Sequence, residues 1–168
     1  MRGLVTDESA IALGAPVIRV WAGSVGSAQA TAEQRAAVVS DSMRIGDLAG
    51  QAGIKVAYEF HNGTLTDTDA SAAQLLREVP HPNIYTLWQP WADRDAAGNL
   101  ASLRGVLPRL VHVHLYHWTT ERRPLAEGSD NLRQYFKLID CPVFLEFVQN
   151  DDPQNFLRDA AALKAILR

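Results

Sequence analysis

The sequence contains a single cysteine, Cys141, so no disulfide bond can form within the chain. This fits a reducing compartment, and cysteine chemistry has no part in the interpretation. The charge is nearly balanced, with 16 basic and 19 acidic residues and a formal net charge of -3. No block of basic residues is present that would attract nucleic acid or an anionic membrane. We therefore expect neither as a partner.

Long hydrophobic runs are also missing. No stretch approaches the length of a membrane span, and Asp7 and Glu8 lie where a signal peptide needs an apolar segment. A soluble protein in the cytoplasm is the expectation. With 168 residues and 47% hydrophobic content, the chain is expected to form one domain over residues 1–168.

An alternation of strand and helix patterns fills the chain. Segments rich in β-branched and aromatic residues, each bounded by turn residues, predict five strands at 16–23, 54–61, 83–90, 110–118 and 142–148. A helical pattern follows each strand. After the first strand, Thr31 to Gln34 is a candidate capping box, and the apolar positions at helical spacing are Ala32, Ala36, Val39 and Met43. After the fifth strand, Asp152 and Pro153 precede an apolar stripe of Phe156, Ala160, Leu163 and Leu167.

The repeat of about 30 residues has the size of one βα unit of a parallel sheet, which predicts an α/β protein. An open doubly wound sheet and a (β/α)8 barrel both fit, and both place the ligand site at the carboxyl ends of the strands. The glycine-rich phosphate-binding motifs GxGxxG and GxxxxGK[ST] are absent from the sequence. Their absence favours the barrel.

Ionisable residues interrupt three of these hydrophobic strands. Glu59 and His61 share one face of the second strand, His112 and His114 share one face of the fourth, and Glu146 lies in the fifth. A carboxylate buried alone costs on the order of several kcal/mol, so such groups need a partner or a cation. Two carboxylates converging beside an imidazole indicate a divalent cation. The alternative for Glu59 and His61 is a structural hydrogen-bonded pair.

The segments GAPVIRVWAG, GIKVAYEFHNGTLTDT, HPNIYTLWQP, VHVHLYHW and VFLEFV together resemble the later strands of the xylose isomerase-like sugar isomerase and epimerase TIM barrels. The resemblance covers nearly the whole chain and begins just before the fourth strand of that family. It implies a partial (β/α)8 TIM barrel, with five parallel strands corresponding to strands 4–8 and flanking helices. About three βα units are expected to be missing. The chain is therefore expected to be a fragment, a truncated gene product or a protomer that closes through a partner.

The resemblance also implies a metal site. Glu59, His114 and Glu146 match three of the family's four ligands, whereas the position of the sixth-strand aspartate is taken by the sequence YTLWQP, in which Gln89 is the nearest oxygen donor. Gln89 is therefore expected to be a weaker ligand or to bind substrate. Oxygen ligands with one histidine suit Mn²⁺, Mg²⁺ or Co²⁺, with Zn²⁺ as a further candidate.

By the same resemblance, the chain is expected to be an isomerase or epimerase of a sugar or small hydroxycarbonyl compound. Glu146 would abstract a proton to form an enediolate and Glu59 would return it, or the two roles are exchanged. The residues expected to bind the substrate are Arg19, Trp21, His61, Trp88, His112 and Trp118, with Trp91 as a further pocket wall. A metal-dependent dehydratase or hydrolase of the same superfamily and a non-catalytic fragment are the alternatives.

Several of these residues also have plain structural interpretations. The tryptophans fit core or rim packing, Arg19 fits an ion pair with a carboxylate inside the barrel, and His112 fits a hydrogen-bonded core histidine. His117, on the opposite face of its strand, is expected to pack against a helix. The segment ERRP is a solvated loop or places Arg122 or Arg123 near an anionic substrate.

Overall fold

A computed structural model describes residues 3–167 of the chain. The predicted domain of residues 1–168 stays a prediction, and its residues 1, 2 and 168 lie outside the described part. In chain order the helices and strands are α1 (Gly3–Leu13), β1 (Val17–Val20), α2 (Ala32–Gln51), β2 (Lys55–Tyr58), α3 (Asp69–Glu78), β3 (Ile84–Trp88), α4 (Ala96–Val106), β4 (Leu110–Leu115), β5 (His117–Trp118), β6 (Arg122–Arg123), α5 (Ser129–Phe136), β7 (Val143–Leu145) and α6 (Pro153–Ile166). Short 3-10 helices cover Leu107–Arg109, Leu125–Gly128 and Gln149–Asp151.

Five strands form a parallel sheet in the order β1-β2-β3-β4-β7, and β5 and β6 pair as a separate antiparallel hairpin. The prediction of an α/β partial TIM barrel with five parallel strands and flanking helices is confirmed. The fourth strand was predicted to run through Trp118, but it ends at Leu115. At the next residue, the Tyr116 hydroxyl donates to the carbonyl oxygen of Pro90 at 2.7 Å, and the chain then enters the hairpin.

The chain divides into two compact units after Leu87. In the first unit, β1 and β2 pair in register from Val17 with Lys55 to Val20 with Tyr58. Its core includes apolar side chains of the strands, of the helices that pack on them and of residues next to these elements, among them Ile18, Ile54, Val56, Tyr58, Leu75, Val79 and Ile84.

The predicted capping box at the start of α2 is present. The Thr31 hydroxyl accepts the N–H of Gln34 at 3.2 Å, and the Gln34 side chain accepts the N–H of Thr31 at 2.9 Å. The predicted apolar stripe of α2 is wrong in its first turns, because Ala32 and Ala36 are exposed. The helix packs through its later turns instead, where Ser42, Gly46 and Ala49 are buried.

In the second unit, β4 and β7 pair from Val113 with Val143 to Leu115 with Leu145. Helix α6 begins as predicted, with the Asp152 side chain accepting the N–H of Gln154 at 2.6 Å and Pro153 in the first turn. The buried residues of α6 are Asp159 and Leu163, whereas Phe156 and Leu167 of the predicted stripe are 46% and 54% exposed. The reason is that only one side of α6 packs against the rest of its unit.

None of the helices within residues 3–167 combines the length and the apolar character needed to cross a bilayer.

Replacing Thr31 with Ala is expected to destabilise the protein by about 1 kcal/mol, because one N–H at the start of α2 loses its acceptor. Chemical denaturation followed by circular dichroism measures this change. Thr31→Ser keeps the hydroxyl and is the matched control, expected to stay close to the wild type. Equal stability of the Ala and Ser variants would show that the capping box contributes nothing.

Candidate metal centre

Each of the two predicted carboxylates lies one residue beyond the carboxyl end of a strand. Strand β2 ends at Tyr58, and the N–H of Glu59 still donates to the carbonyl oxygen of Val20 at 3.0 Å. Strand β7 ends at Leu145, and the N–H of Glu146 donates to the carbonyl oxygen of Leu115 at 3.0 Å. The prediction had placed both residues inside their strands. Backbone hydrogen bonding to the neighbouring strand thus continues for one residue beyond the end of each strand. This bond fixes the backbone position of each glutamate.

In the first unit, Glu59 is held by two side-chain donors. Its residue exposure is 4%, and its Oε2 atom accepts from Arg19 Nη1 at 2.5 Å and from the indole N–H of Trp21. Arg19 lies in β1 and Trp21 directly follows it, so the pairing of β1 with β2 brings both donors to this carboxylate. The ion pair and the hydrogen bond fix the carboxylate and supply compensating positive charge. The ion pair with a carboxylate, which was the structural interpretation of Arg19, is present in the structure.

The ring of His61 stacks on Trp21. The ring centroids are 4.2 Å apart with an interplanar angle of 30°. His61 lies in the loop after β2, not in the strand as predicted, and its Nδ1 atom is 2.7 Å from the carbonyl oxygen of Asn62. Strand alternation therefore does not place His61 beside Glu59. Trp21 contacts both residues instead. Its indole N–H donates to Glu59, and its ring stacks on His61.

In the second unit, His114 and Glu146 lie side by side. Nδ1 of His114 is 3.4 Å from Oε2 of Glu146. His114 pairs in register with Phe144, and Glu146 is two residues further along the chain, so strand alternation places the three side chains on one face. Oε2 of Glu146 is buried and accepts no hydrogen bond from the described residues. A buried carboxylate oxygen without a donor is the environment that a cation would complete.

Aromatic rings border this pair. The ring of His112 is buried, with its centroid 5.2 Å from that of His114 and 5.3 Å from that of Phe144. The Phe144 ring also meets the His114 ring edge to face at 6.4 Å. These contacts restrict the orientation of the His114 imidazole.

Glu59, His114 and Glu146 together form a candidate metal-binding group. Each offers one ligand atom, and these atoms all lie within 4.8 Å of one another. Ligand atoms of one divalent cation have separations of this order, since each lies about 2.0–2.6 Å from the ion. Two carboxylates and one imidazole make a donor set that suits Mg²⁺, Mn²⁺, Co²⁺ or Zn²⁺.

The other predicted site residues have varied surroundings. Gln89 directly follows β3, at the carboxyl end of that strand, and its Oε1 atom is buried. Trp88 is completely buried, and its indole N–H donates to Ser102 Oγ at 3.1 Å. This is the environment of a core side chain, not of a pocket wall. Trp91 is half-buried and lies under the guanidinium of Arg94, which is 4.8 Å from the ring centroid.

His117 packs on the glycine that precedes α5. A Cβ atom added at Gly128 would lie 2.6 Å from Nδ1 of His117, so the close approach of the imidazole requires glycine there. Burial lowers the pKa of His117 from its ordinary value, an effect that Glu127 opposes and Arg123 reinforces. Burial therefore favours the neutral form of the imidazole.

A cluster around Phe147 was not anticipated from the sequence. Phe147 directly follows Glu146, and its ring meets those of Tyr116 and Trp118, each at 5.4 Å between centroids. The guanidinium of Arg122 lies over the rings of Phe147 and Trp118, at 5.0 and 5.1 Å. Arg122 Nη1 also pairs with Asp151 Oδ1 at 2.5 Å. The segment ERRP thus includes part of a hairpin, and Trp118 packs against Phe147.

Residues 8–166 match the family model described as the xylose isomerase-like TIM barrel. The parallel five-stranded sheet with its flanking helices is part of a TIM barrel of this kind. The chain belongs to the xylose isomerase-like TIM barrel family.

One similar protein is a 3-dehydroshikimate dehydratase from Bacillus anthracis. It is 34% identical to this chain over 103 residues, which are 58% of this chain and 35% of that protein. The matched region thus spans about a third of the relative's length. The crystal structure of AsbF, described as a probable 3-DHS dehydratase of the same organism, has a TM-score of 0.80 at 24% identity and covers 96% of this chain and 69% of its own.

Two further solved structures share the fold. A xylose isomerase-like TIM barrel protein from Mycobacterium smegmatis in complex with magnesium has a TM-score of 0.70 at 14% identity, covering 96% of this chain and 65% of its own. A D-allulose 3-epimerase from Methylomonas sp. has a TM-score of 0.68 at 20% identity, covering 95% of this chain and 65% of its own. At these identities the likeness extends to the fold alone.

Adding Mn²⁺ at about 100 times its dissociation constant is expected to stabilise the wild type by roughly 2.7 kcal/mol, because the ion binds the folded state. For a chain of this size, that corresponds to a rise in Tm of roughly 5–10 °C in a thermal melt. Glu146→Gln keeps the shape of the side chain but loses the charge, and it should abolish most of the rise.

The matched control is Glu33→Gln, which removes one exposed carboxylate from the first turn of α2. It should retain the full response to Mn²⁺. Equal rises in the Glu146 variant and the wild type would exclude Glu146 as a ligand.

Proposed function

We propose that this protein is a divalent-metal-dependent enzyme that abstracts a proton next to the carbonyl group of a small hydroxylated compound. The observation that carries the proposal is the convergence of Glu59, His114 and Glu146 within ligand distance of one another. A divalent cation bound there would polarise a carbonyl oxygen and lower the free energy of the enolate. Mn²⁺, Mg²⁺ and Co²⁺ fit these ligands best, with Zn²⁺ as a further candidate.

Glu146 is the proposed base. Its Oε2 atom accepts no hydrogen bond from the described residues, whereas Glu59 Oε2 already accepts from Arg19 and Trp21. Two donors hold the Glu59 carboxylate in one orientation, which suits a ligand and makes Glu59 less available than Glu146 to remove the first proton. The sequence left the two roles open to exchange, and these contacts favour Glu146 as the group that removes the proton.

Elimination of water is the first candidate reaction. The relative that is 34% identical over 103 residues carries the name of a dehydratase, which favours this outcome. The Glu146 carboxylate would take the proton from the carbon next to the carbonyl. The electron pair of that C–H bond forms a carbon–carbon double bond as the C–O bond of the neighbouring hydroxyl breaks. The departing hydroxide takes up the proton that Glu146 removed and leaves as water, and the carboxylate is regenerated.

Isomerisation or epimerisation of a sugar is the second candidate, and the epimerase of similar fold favours it. It shares the first step, the removal of a proton by Glu146. The proton then returns, either to the neighbouring carbon or to the opposite face of the same carbon, with Glu59 as the proposed donor. Nucleic acid hydrolysis is less favoured, because the net charge of -3 and the absence of a basic block do not attract a polyanion.

The proposed substrate contacts come from residues near these carboxylates. In the first unit, Trp21 and His61 form a stacked pair beside Glu59. In the second unit, His112 and Phe144 border His114. Flat rings next to a polar centre suit a small, partly apolar ring compound or a sugar.

The Mn²⁺-loaded wild type is expected to release water from 3-dehydroshikimate, measured as the appearance of a conjugated product by ultraviolet absorbance. Glu146→Gln should lower kcat by roughly 10²- to 10⁴-fold, the range for removal of a general base. Glu33→Gln should match the wild type.

A parallel incubation with D-allulose in D₂O distinguishes the two candidates. Deuterium on the carbon beside the carbonyl, with no dehydration of 3-dehydroshikimate, would favour the epimerase. A wild type that binds no Mn²⁺ and transforms neither compound would instead identify a non-catalytic member of the family.

A further inference from the structure

The segment between β7 and α6 has an unusual backbone directly after the proposed base. Phe147, Asn150 and Asp151 have φ angles of 52°, 58° and 51°. This left-handed region is unfavourable for residues with a Cβ atom, and more so for a bulky phenylalanine than for asparagine or aspartate. Such a conformation persists only where surrounding contacts impose it. The contacts around this segment must therefore account for its shape.

Arg122 contacts both ends of the segment. Its guanidinium lies 5.0 Å from the Phe147 ring centroid and 5.1 Å from that of Trp118, and its Nη1 atom is 2.5 Å from Asp151 Oδ1. The Phe147 ring is also packed edge to face against Trp118 and Tyr116. Arg122 lies in β6, which pairs with β5 through Trp118. One hairpin side chain thus holds the first and the last of the positive-φ residues.

A planar guanidinium suits this double contact. It can stack on an aromatic face while its edge nitrogens donate to a carboxylate, which a lysine ammonium does with less directional precision. At its start, the segment is tied to β4 by the N–H of Glu146 on Leu115, and at its end Asp152 caps α6. Between these two points, Arg122 contacts Phe147 and Asp151, and the side-chain amide of Asn155 donates to the carbonyl oxygen of Gln149 at 2.9 Å.

We propose that Arg122 is a positioning residue for Glu146. By holding Phe147 and Asp151, it keeps the backbone after Glu146 in the left-handed conformation that directs the carboxylate to within 3.4 Å of His114 Nδ1. This inference rests on the proposed role of Glu146 as ligand and base. Without the contacts of Arg122, the segment relaxes toward common backbone angles. The Glu146 carboxylate then moves from the position that metal binding and proton transfer require.

Arg122→Ala is expected to weaken Mn²⁺ binding and to lower kcat, each by roughly 10- to 100-fold, with KM changed much less. Titration calorimetry measures the affinity, and the dehydration assay measures kcat and KM. Arg122→Lys keeps the positive charge for Asp151 and should recover part of the loss. Asp151→Asn removes the ion pair but keeps a side chain that tolerates positive φ, and it should act in the same direction with a smaller effect.

Amide hydrogen exchange supplies a readout that does not depend on activity. In metal-free protein, Arg122→Ala should accelerate the exchange of the amides of Glu146 and Asp151, whose N–H groups donate to Leu115 and Val148. The control is Arg133→Ala, which removes an exposed arginine that pairs with Asp130 on α5. It should change neither the exchange nor Mn²⁺ binding.

The outcomes separate this inference from the proposed function. Wild-type protein that binds no Mn²⁺ would contradict the proposed function itself and, with it, the positioning role. Wild type that binds Mn²⁺, together with an Arg122→Ala variant that matches Arg133→Ala in affinity, kcat and exchange, would overturn only the positioning role. Faster exchange with unchanged affinity and kcat would also overturn it, because Arg122 would then stabilise the loop without directing Glu146.

Discussion

A carboxylate removed from water needs positive charge or hydrogen-bond donors close by, and this requirement governs the arrangement around the candidate site. The protein meets it in two ways. Glu59 is satisfied within its own unit by Arg19 and Trp21, both brought to it by the pairing of β1 with β2. Glu146 has a histidine at 3.4 Å but a buried oxygen that accepts no hydrogen bond from the described residues. The two carboxylates thus differ in their hydrogen-bond donors, and the buried Glu146 oxygen without a donor favours a bound cation.

This difference in hydrogen bonding also separates the chemical roles proposed for Glu59 and Glu146. A carboxylate held by a guanidinium and an indole is fixed in place, as a ligand should be. A carboxylate with an unsatisfied oxygen can bind a cation and also accept a proton from a substrate. Dehydration and epimerisation both begin with that proton transfer, so one arrangement of ligands serves either outcome. The reactions diverge afterwards, according to whether a hydroxyl leaves or the proton returns, and this depends on contacts to the rest of the substrate.

Aromatic side chains surround these polar groups and are unusually exposed. Trp21 is 55% exposed and Phe144 is 54% exposed, although both contact residues of the candidate site. Exposed apolar side chains beside charged groups are typical of a surface that binds a ligand or another apolar group. Phe147 is 39% exposed and differs from them in its contacts, because its ring packs on Trp118, Tyr116 and Arg122 and its backbone angle is unfavourable. Phe147 therefore belongs to the packing next to Glu146.

The sequence by itself determined the α/β class, the five parallel strands and the caps of α2 and α6, because hydrophobic periodicity and capping are local properties. It also predicted which carboxylates and which imidazole could share a metal ion, since the carboxyl ends of parallel strands share one edge. Tertiary structure decided the rest. Contacts between residues distant along the chain determine where β2 ends, before Glu59. They also bring Arg19 and Trp21 to this carboxylate and Arg122 to Phe147 and Asp151. Local patterns do not identify the partners of these side chains, because the partners become neighbours only in the folded chain.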